Sequence, residues 1–168
     1  ETETIIRYLQ SQHNFNNVLE VGIGSGVISS MISLMSIGKK ILATDISKPA
    51  LELAKKNIGY HNIKNISLLQ HNILKESFNE KFDLIISNPP YIALSDFNNL
   101  DVSIKKFEPR QALTDESDGL IFYRRFSQII KNILSKDGVF YCEIGLPSSL
   151  QDIELIFCSK YSIKKIYD

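Results

Sequence analysis

Short apolar runs alternate with stretches in which apolar residues recur at helical spacing, and this alternation continues along the whole chain. Asn17-Val18-Leu19-Glu20-Val21, Lys40 to Asp45 (KILATD), Ile66 to Gln70, Phe82 to Ser87 (FDLIIS), Gly138 to Ile144 (GVFYCEI) and Ser162 to Tyr167 read as strands, the fourth being the most uniformly apolar. Residues 2–12 read as an opening helix. Val27, Ile28, Met31, Ile32 and Met35 fall on one helical face, and Gly38 stops that helix as a C-cap would. Ser47 is placed as the N-cap of the next helix, with Pro49 in its first turn and Leu51, Ala54 and Ile58 on its buried side. Gly119 to Leu134 and Leu150 to Phe157 read as further helices. The polar stretch from Ala93 to Glu116 reads as a long loop, which in a compact domain is usually functional. Strands alternating with helices predict an α/β fold: a mostly parallel, twisted sheet with helices on both faces.

The 168 residues suit one domain, spanning 1–168. Lys and Arg balance Asp and Glu at 19 each, and this zero net charge speaks against a dedicated nucleic-acid binder while leaving a protein substrate open. Cys142 and Cys158 form no CxxC pair and have no His at ligand spacing, and His13, His61 and His71 are scattered. Reduced thiols and no metal site are expected. No run approaches the roughly 18 apolar residues of a membrane span; the most apolar stretch, Val27 to Ile37, is broken by Ser29, Ser30, Ser33 and Ser36. No signal peptide is visible, and a start at Glu1 rather than Met suggests an excised piece of something longer.

Three motifs carry chemistry. Gly22-Ile23-Gly24-Ser25-Gly26 lies between a strand ending in Glu20-Val21 and a helix, where glycines let the backbone turn sharply and approach a ligand. A dinucleotide binder would want glycine at position 27, where this chain has Val27. The pattern suits S-adenosylmethionine better, a ligand with a carboxylate, an amine and a sulfonium but no pyrophosphate; a structural βα turn is the alternative. Asp45 ends the second strand, about 20 residues on, where a carboxylate can accept from both ribose hydroxyls or can cap the following helix. Asn88-Pro89-Pro90-Tyr91 follows directly on the fourth strand. The two prolines remove donors and fix the chain, so that the Asn88 amide oxygen and the Pro89 carbonyl become two acceptors at a set separation. Two acceptors match an NH2 group. Gripping both hydrogens aims the nitrogen and disfavours conjugation of its lone pair, which is catalysis by orientation without an obligatory general base. Tyr91 offers a flat wall to a planar substrate. A turn rich in Asn and Pro is the plainer reading.

Together the glycine turn, Asp45 and Asn88-Pro89-Pro90-Tyr91 resemble the Rossmann-like class I S-adenosylmethionine-dependent methyltransferases that act on planar nitrogen. Phe107-Glu108-Pro109-Arg110-Gln111-Ala112-Leu113, Asp118-Gly119-Leu120, Tyr123-Arg124-Arg125 and Cys142-Glu143-Ile144-Gly145 resemble segments of the protein glutamine N5-methyltransferases. Glu1-Thr2-Glu3 is similar to the stretch preceding the catalytic domain in the family that modifies peptide-chain release factors. The resemblance implies methyl transfer from S-adenosylmethionine to the glutamine of the Gly-Gly-Gln motif of class 1 release factors, by a cytoplasmic monomer with neither nucleic-acid nor membrane partner. It implies that Gly22, Ile23, Gly24, Ser25 and Gly26 hold the methionine part of the cofactor and Asp45 the ribose. Asn72 and Ile73 would lie beside the adenine, Asn88 would face cofactor and substrate, and Pro89, Pro90 and Tyr91 the glutamine. Glu108 and Arg110 are expected to form a structural ion pair.

The chain departs from that family in places. Asn72 stands where Asp is usual and Ile73 where an aromatic is frequent, so stacking is lost and modest cofactor affinity is expected. The family's helical N-terminal domain and its final strand are expected to be absent, leaving an unpaired edge and a fragment with weakened protein recognition. A ribosomal-protein glutamine methyltransferase is an alternative that the Glu1-Thr2-Glu3 start opposes. A nucleic-acid adenine N6-methyltransferase would need a basic face and a target-recognition region. A module that binds cofactor without catalysis is opposed by the intact Asn88 motif.

Overall fold

Largely apolar runs mark strands buried on both faces, and the central strands here are of that kind. The structure, a computed structural model, describes residues 2–11, 14–145, 150–158 and 162. In chain order the elements are α1 (Thr2–Gln10), β1 (Phe15–Val21), α2 (Val27–Leu34), β2 (Gly38–Asp45), α3 (Lys48–Tyr60), β3 (Ile66–Gln70), β4 (Phe82–Ser87), α4 (Leu94–Phe97), α5 (Val102–Phe107), α6 (Arg110–Leu113), α7 (Ile121–Ile133), β5 (Leu134–Cys142) and α8 (Leu150–Phe157). The five strands form one sheet in the order β3-β2-β1-β4-β5. β1 pairs in parallel with β2 and with β4, and β2 with β3. Two compact units are distinguished: the described residues up to Ser87 with Asn132–Tyr141, and Asn88–Lys131 with the described residues from Cys142 onward.

In the first unit one face of the sheet is packed by Ile6 and Leu9 of α1, Ile28 and Ile32 of α2, and Ala54 and Ile58 of α3, against Val18, Ile41, Ala43, Leu84 and Ile86. Leu19 and Ile85, pointing the other way, are fully buried as well. Glu20 interrupts the apolar run of β1. It is 1% exposed, and its Oε2 accepts hydrogen bonds from Ser29 N–H, at 3.0 Å, and from Ser29 Oγ. A strand carboxyl thereby ties down the first turn of α2, whose N–H groups have no intrahelical acceptor. Burial is the dominant influence on that carboxyl and pushes it up from 4.5 to about 8, against the pull of the Ser29 hydrogen bonds. At the opposite end of the sheet Asp83 accepts from Asn16 N–H and Asn17 N–H at 3.0 Å each and from Ser135 Oγ at 2.8 Å. It joins the starts of β1, β4 and β5, and the backbone donors hold its carboxyl below the usual range.

Several expectations are met: β3, β4 and α8 have the predicted bounds, and Ser47 Oγ accepts from Ala50 N–H at 3.3 Å as the N-cap of α3. Others need correction. The buried side of α2 carries Ile28, Ser29, Ser30 and Ile32, while Val27 and Met35 are largely exposed; small serines, not apolar bulk, let the helix lie close to the sheet. Gly38 does not cap α2. Ser36 takes the left-handed conformation (φ 56°), and Gly38 opens β2, where a Cβ would lie 2.7 Å from Val18 Cγ2 and 3.0 Å from Ile32 Cγ2. Residues 93–116 form α4, α5 and α6 rather than a structureless loop. Local caps make this possible, with Asp101 accepting from Ser103 N–H at 2.8 Å. β5 begins at Leu134 and ends at Cys142. The predicted strand Ser162 to Tyr167 lies outside the described residues apart from Ser162. No helix among the described residues is long and apolar enough to cross a membrane.

Two outcomes follow for stability. Gly38→Ala forces a methyl into the Val18–Ile32 contact and is expected to cost about 1–3 kcal/mol in urea unfolding, the usual range for overpacking. The raised Glu20 carboxyl favours the folded state fully below its unfolded value of 4.5, and that contribution is lost as pH rises through about 8. Unfolding midpoints measured from pH 5 to 9 should therefore fall for the native chain and stay flatter for Glu20→Gln.

Candidate functional site

The order β3-β2-β1-β4-β5 reverses direction at β1, and in open parallel sheets ligands bind beyond the strand carboxyl ends at such a switch point. The register brings three of those ends level: Val21 pairs with Thr44 on one side and with Ser87 on the other. Ser87 Oγ donates to Val21 O at 2.8 Å, and Thr44 Oγ1 to Glu20 O at 3.1 Å, so side chains reinforce the ladder where it ends.

The glycine turn leaves β1 at this point. Gly22 N–H and Ile23 N–H both donate to Thr44 O, at 2.8 and 2.9 Å, which folds the chain back over β2. Gly22, Gly24 and Gly26 have φ of 81°, 53° and 87°, a region that side chains disfavour. At Gly24 a Cβ would meet nothing within 4 Å, so open space lies above the turn. Ile23 is buried beneath it at 3%, while Gly22, Gly24 and Ser25 are exposed. Asn57 Nδ2 donates to Ser25 O at 2.8 Å and fastens the turn to α3.

Asp45 stands at the rim. Its Oδ2 accepts from Gly24 N–H at 3.0 Å and its Oδ1 from Ser47 N–H at 2.9 Å. Asp45 thus links the glycine turn to the residue that caps α3; the cap itself is Ser47, not Asp45. His71 N–H donates to Asp45 O at 3.0 Å, which brings the segment after β3 alongside. There Asn72 Oδ1 accepts from Leu74 N–H at 3.1 Å, and Glu76 Oε2 accepts from Asn72 N–H at 2.6 Å. Ile73 is 5% exposed. Gly22 to Gly26, Asp45, Asn72 and Ile73 are therefore brought together within the first unit. The holding roles of Glu20 and Asn57 are not among the sequence expectations. A lone acidic residue inside an apolar strand was a signal for Glu20; Asn57 gave none.

Asn88 is the next residue after β4 and is exposed, whereas Pro89 is buried and Pro90 and Tyr91 are half-buried. In the second unit this motif runs into a short pairing: Ile92 bridges Thr114, with Ile92 N–H donating to Leu113 O at 3.0 Å and Leu94 N–H to Ser117 O at 2.8 Å. Asp115 holds the returning chain by accepting from the N–H groups of Ser117, Gly119 and Ile121 at 2.8–3.0 Å. Arg110 does not pair with Glu108. It makes a two-pronged ion pair with Glu116, at 2.5 and 2.7 Å, and its guanidinium lies 4.6 Å from the Phe97 ring centroid. Arg124 pairs in the same way with Asp118, at 3.0 and 2.6 Å. Desolvation pushes the thiol of half-buried Cys142 well above its usual range, which keeps it in the unreactive protonated form.

Comparison with known proteins accords with this geometry. The methyltransferase small domain model matches residues 1–112. A protein of Lactococcus lactis named release factor glutamine methyltransferase is 33% identical over 99% of this chain, which spans 61% of that protein's length. A bifunctional methyltransferase of Rickettsia bellii is 35% identical over 90% of this chain and 28% of its own length. The crystal structure of a methyltransferase from Pyrococcus furiosus superposes with a TM-score of 0.71 at 22% identity, covering 97% of this chain and 75% of that one. The Rossmann-like fold of class I methyltransferases is thereby confirmed. With its glycine turn at the switch point of a β3-β2-β1-β4-β5 sheet, the chain belongs to the methyltransferase small domain family, whose methyl donor is S-adenosylmethionine.

Proposed function

We propose that this chain is the catalytic part of a methyltransferase that modifies the side-chain amide nitrogen of the glutamine in the Gly-Gly-Gln motif of class 1 peptide-chain release factors. The observation that carries the reading is Asn88-Pro89-Pro90-Tyr91 set directly after β4, in a chain 33% identical over 99% of its length to a release factor glutamine methyltransferase. The protein acts in this reading as a cytoplasmic monomer on a protein, not on nucleic acid.

The residues beyond β1, β2 and β3 fit the cofactor. The open space over Gly24 gives room for its methionine part along Gly22 to Gly26. The Asp45 carboxylate, anchored by two backbone N–H groups, retains lone pairs for ribose hydroxyls. Asn72 and Ile73, tied in through the His71–Asp45 backbone bond, serve the adenine side. When bound, S-adenosylmethionine supplies an activated methyl group on a sulfonium. Asn88 Oδ1 and the Pro89 carbonyl accept the two N–H bonds of the glutamine amide, which turns its lone pair out of conjugation and toward the donor. Pro90 and Tyr91 close on the flat face of the amide. The N–CH3 bond would form as the S–CH3 bond of the sulfonium breaks to leave a neutral thioether, and the surplus proton of the nitrogen would pass to solvent afterwards; no residue need remove it beforehand, and fixed acceptors supply the catalysis.

The test is transfer of labelled methyl from S-adenosylmethionine to a release factor, to its Gly-Gly-Ala variant and to duplex DNA. Label is expected on the intact release factor alone; label on DNA would instead assign an adenine acceptor, and none on any acceptor would remove the proposal. Asn88→Ala is expected to lower kcat by about 100-fold or more, the scale of losing a fixed polar group at the reacting centre. An unchanged rate would sink the mechanism. Asp45→Ala should weaken cofactor binding by roughly tenfold or more, since it loses a charged acceptor. Titration calorimetry reads this directly, and full affinity in the variant would rule out the ribose role.

A further inference from the structure

Tyr91 is held by a chain of contacts that begins at a residue with no part in the scheme above. Tyr123, on α7, is 1% exposed, and its hydroxyl donates to Glu143 O at 3.0 Å with the backbone N–H of Gly145 turned toward it. The phenol therefore brackets residues 143–145 from both sides. Its burial pushes it far above the usual phenol range, so it remains a neutral donor and acceptor at any working pH. The bracketed backbone lies against the ring of Tyr91. A Cβ built on Gly145 would fall 2.8 Å from both Cγ and Cε2 of Tyr91 and closer still to Cδ2. A second glycine serves the same residue from the main-chain side: a Cβ at Gly119 would come within 3.2 Å of the Tyr91 carbonyl carbon and 3.3 Å of Ala93 N. Tyr91 is thus fixed at its ring by Gly145 and at its backbone by Gly119, and Gly145 is fixed by the Tyr123 hydroxyl.

We propose that Tyr123 and Gly145 are positioning residues that set the pose of the Tyr91 ring, and through it the fit of the planar acceptor. The inference rests on the reading that Tyr91 faces the substrate. The backbone of a glycine is the thinnest support a ring can have, and it allows Tyr91 to sit deeper than any side chain at position 145 would permit. The hydroxyl of Tyr123 keeps that support from drifting. The hydrogen bond and ring contact described for the two residues lead to Glu143 and Tyr91, so both act on acceptor affinity and leave cofactor affinity alone.

The experiment is steady-state kinetics on the chain and its variants Tyr123→Phe, Gly145→Ala and Tyr91→Ala, with the two double variants that combine Tyr91→Ala with each of the others. Release factor and S-adenosylmethionine are varied separately. Tyr123→Phe keeps the ring packing and removes only the hydroxyl, so it remains informative if Gly145→Ala folds poorly. Each single variant is expected to raise the acceptor KM by about tenfold with the cofactor Kd, from calorimetry, within about twofold. In the Tyr91→Ala background the second substitution should add less than about twofold, because the ring it positions is gone. Acceptor KM unchanged in both Tyr123→Phe and Gly145→Ala while Tyr91→Ala raises it would overturn the positioning role and leave the Tyr91 reading intact. Equal effects with and without the Tyr91 ring would overturn it as well. An unchanged KM in Tyr91→Ala would remove the substrate-facing role of Tyr91, and this inference with it.

Discussion

The alignment of three strand ends is the constraint on which everything else rests. Val21 is paired on both sides, with Thr44 and with Ser87, so β1, β2 and β4 stop at the same level. A slip of one residue in either pairing would turn the buried set of a strand to its opposite face. It would also separate the glycine turn from Asp45, whose hydrogen bond to Gly24 N–H depends on that level. The apolar packing that enforces the register is therefore also what assembles the candidate site. No residue of the site brings its own scaffold.

Polar groups inside this core serve the same end. Glu20, Thr44 and Ser87 are each about 1% exposed, and each bonds across from one element to another. Such groups are costly unless satisfied, and satisfied they admit one arrangement rather than many. Their position at the carboxyl end of the sheet concentrates that rigidity under the turn. The price in burial is visible in the Glu20 carboxyl, displaced to about 8.

Much of this was legible in the residues. Period, length and flanking turn residues gave β3, β4 and α8 their bounds, because a short apolar strand and an amphipathic helix each leave a local pattern. The turn Gly22 to Gly26 and Asp45 were legible for the same reason: glycines and a strand-end carboxylate are local signals. What failed depended on contacts that neither period nor residue type reveals. Gly38 looks like a helix stop, yet its reason is room for Val18 and Ile32. Residues 93–116 look polar and loose, yet Ile92–Thr114 pairing and Asp115 organise them into short helices. Arg110 has Glu108 as its near neighbour in sequence, yet a left-handed Glu116 (φ 61°) turns back to meet it. Asn57 and the Tyr123 bracket carry no local mark at all.

The Asp83 clamp has a consequence for the order in which the sheet is built. Its acceptor atoms reach donors 66 and 67 residues earlier and 52 residues later in the chain. β1–β2 and β2–β3 instead join strands that follow one another through a single helix. Loop closure makes this a small matter for equilibrium, since each doubling of the loop costs only about 0.6 kcal/mol. Folding rates are more sensitive, because distant contacts reward the chain only after their loops have closed. The β3-β2-β1 half, which carries the glycine turn and Asp45, can take shape while the Asn88 segment is still an open excursion between β4 and β5. Fastening Asp83 to Ser135 turns that excursion into a closed loop, so the segment proposed to meet the acceptor is tied at its base by a contact 52 residues apart.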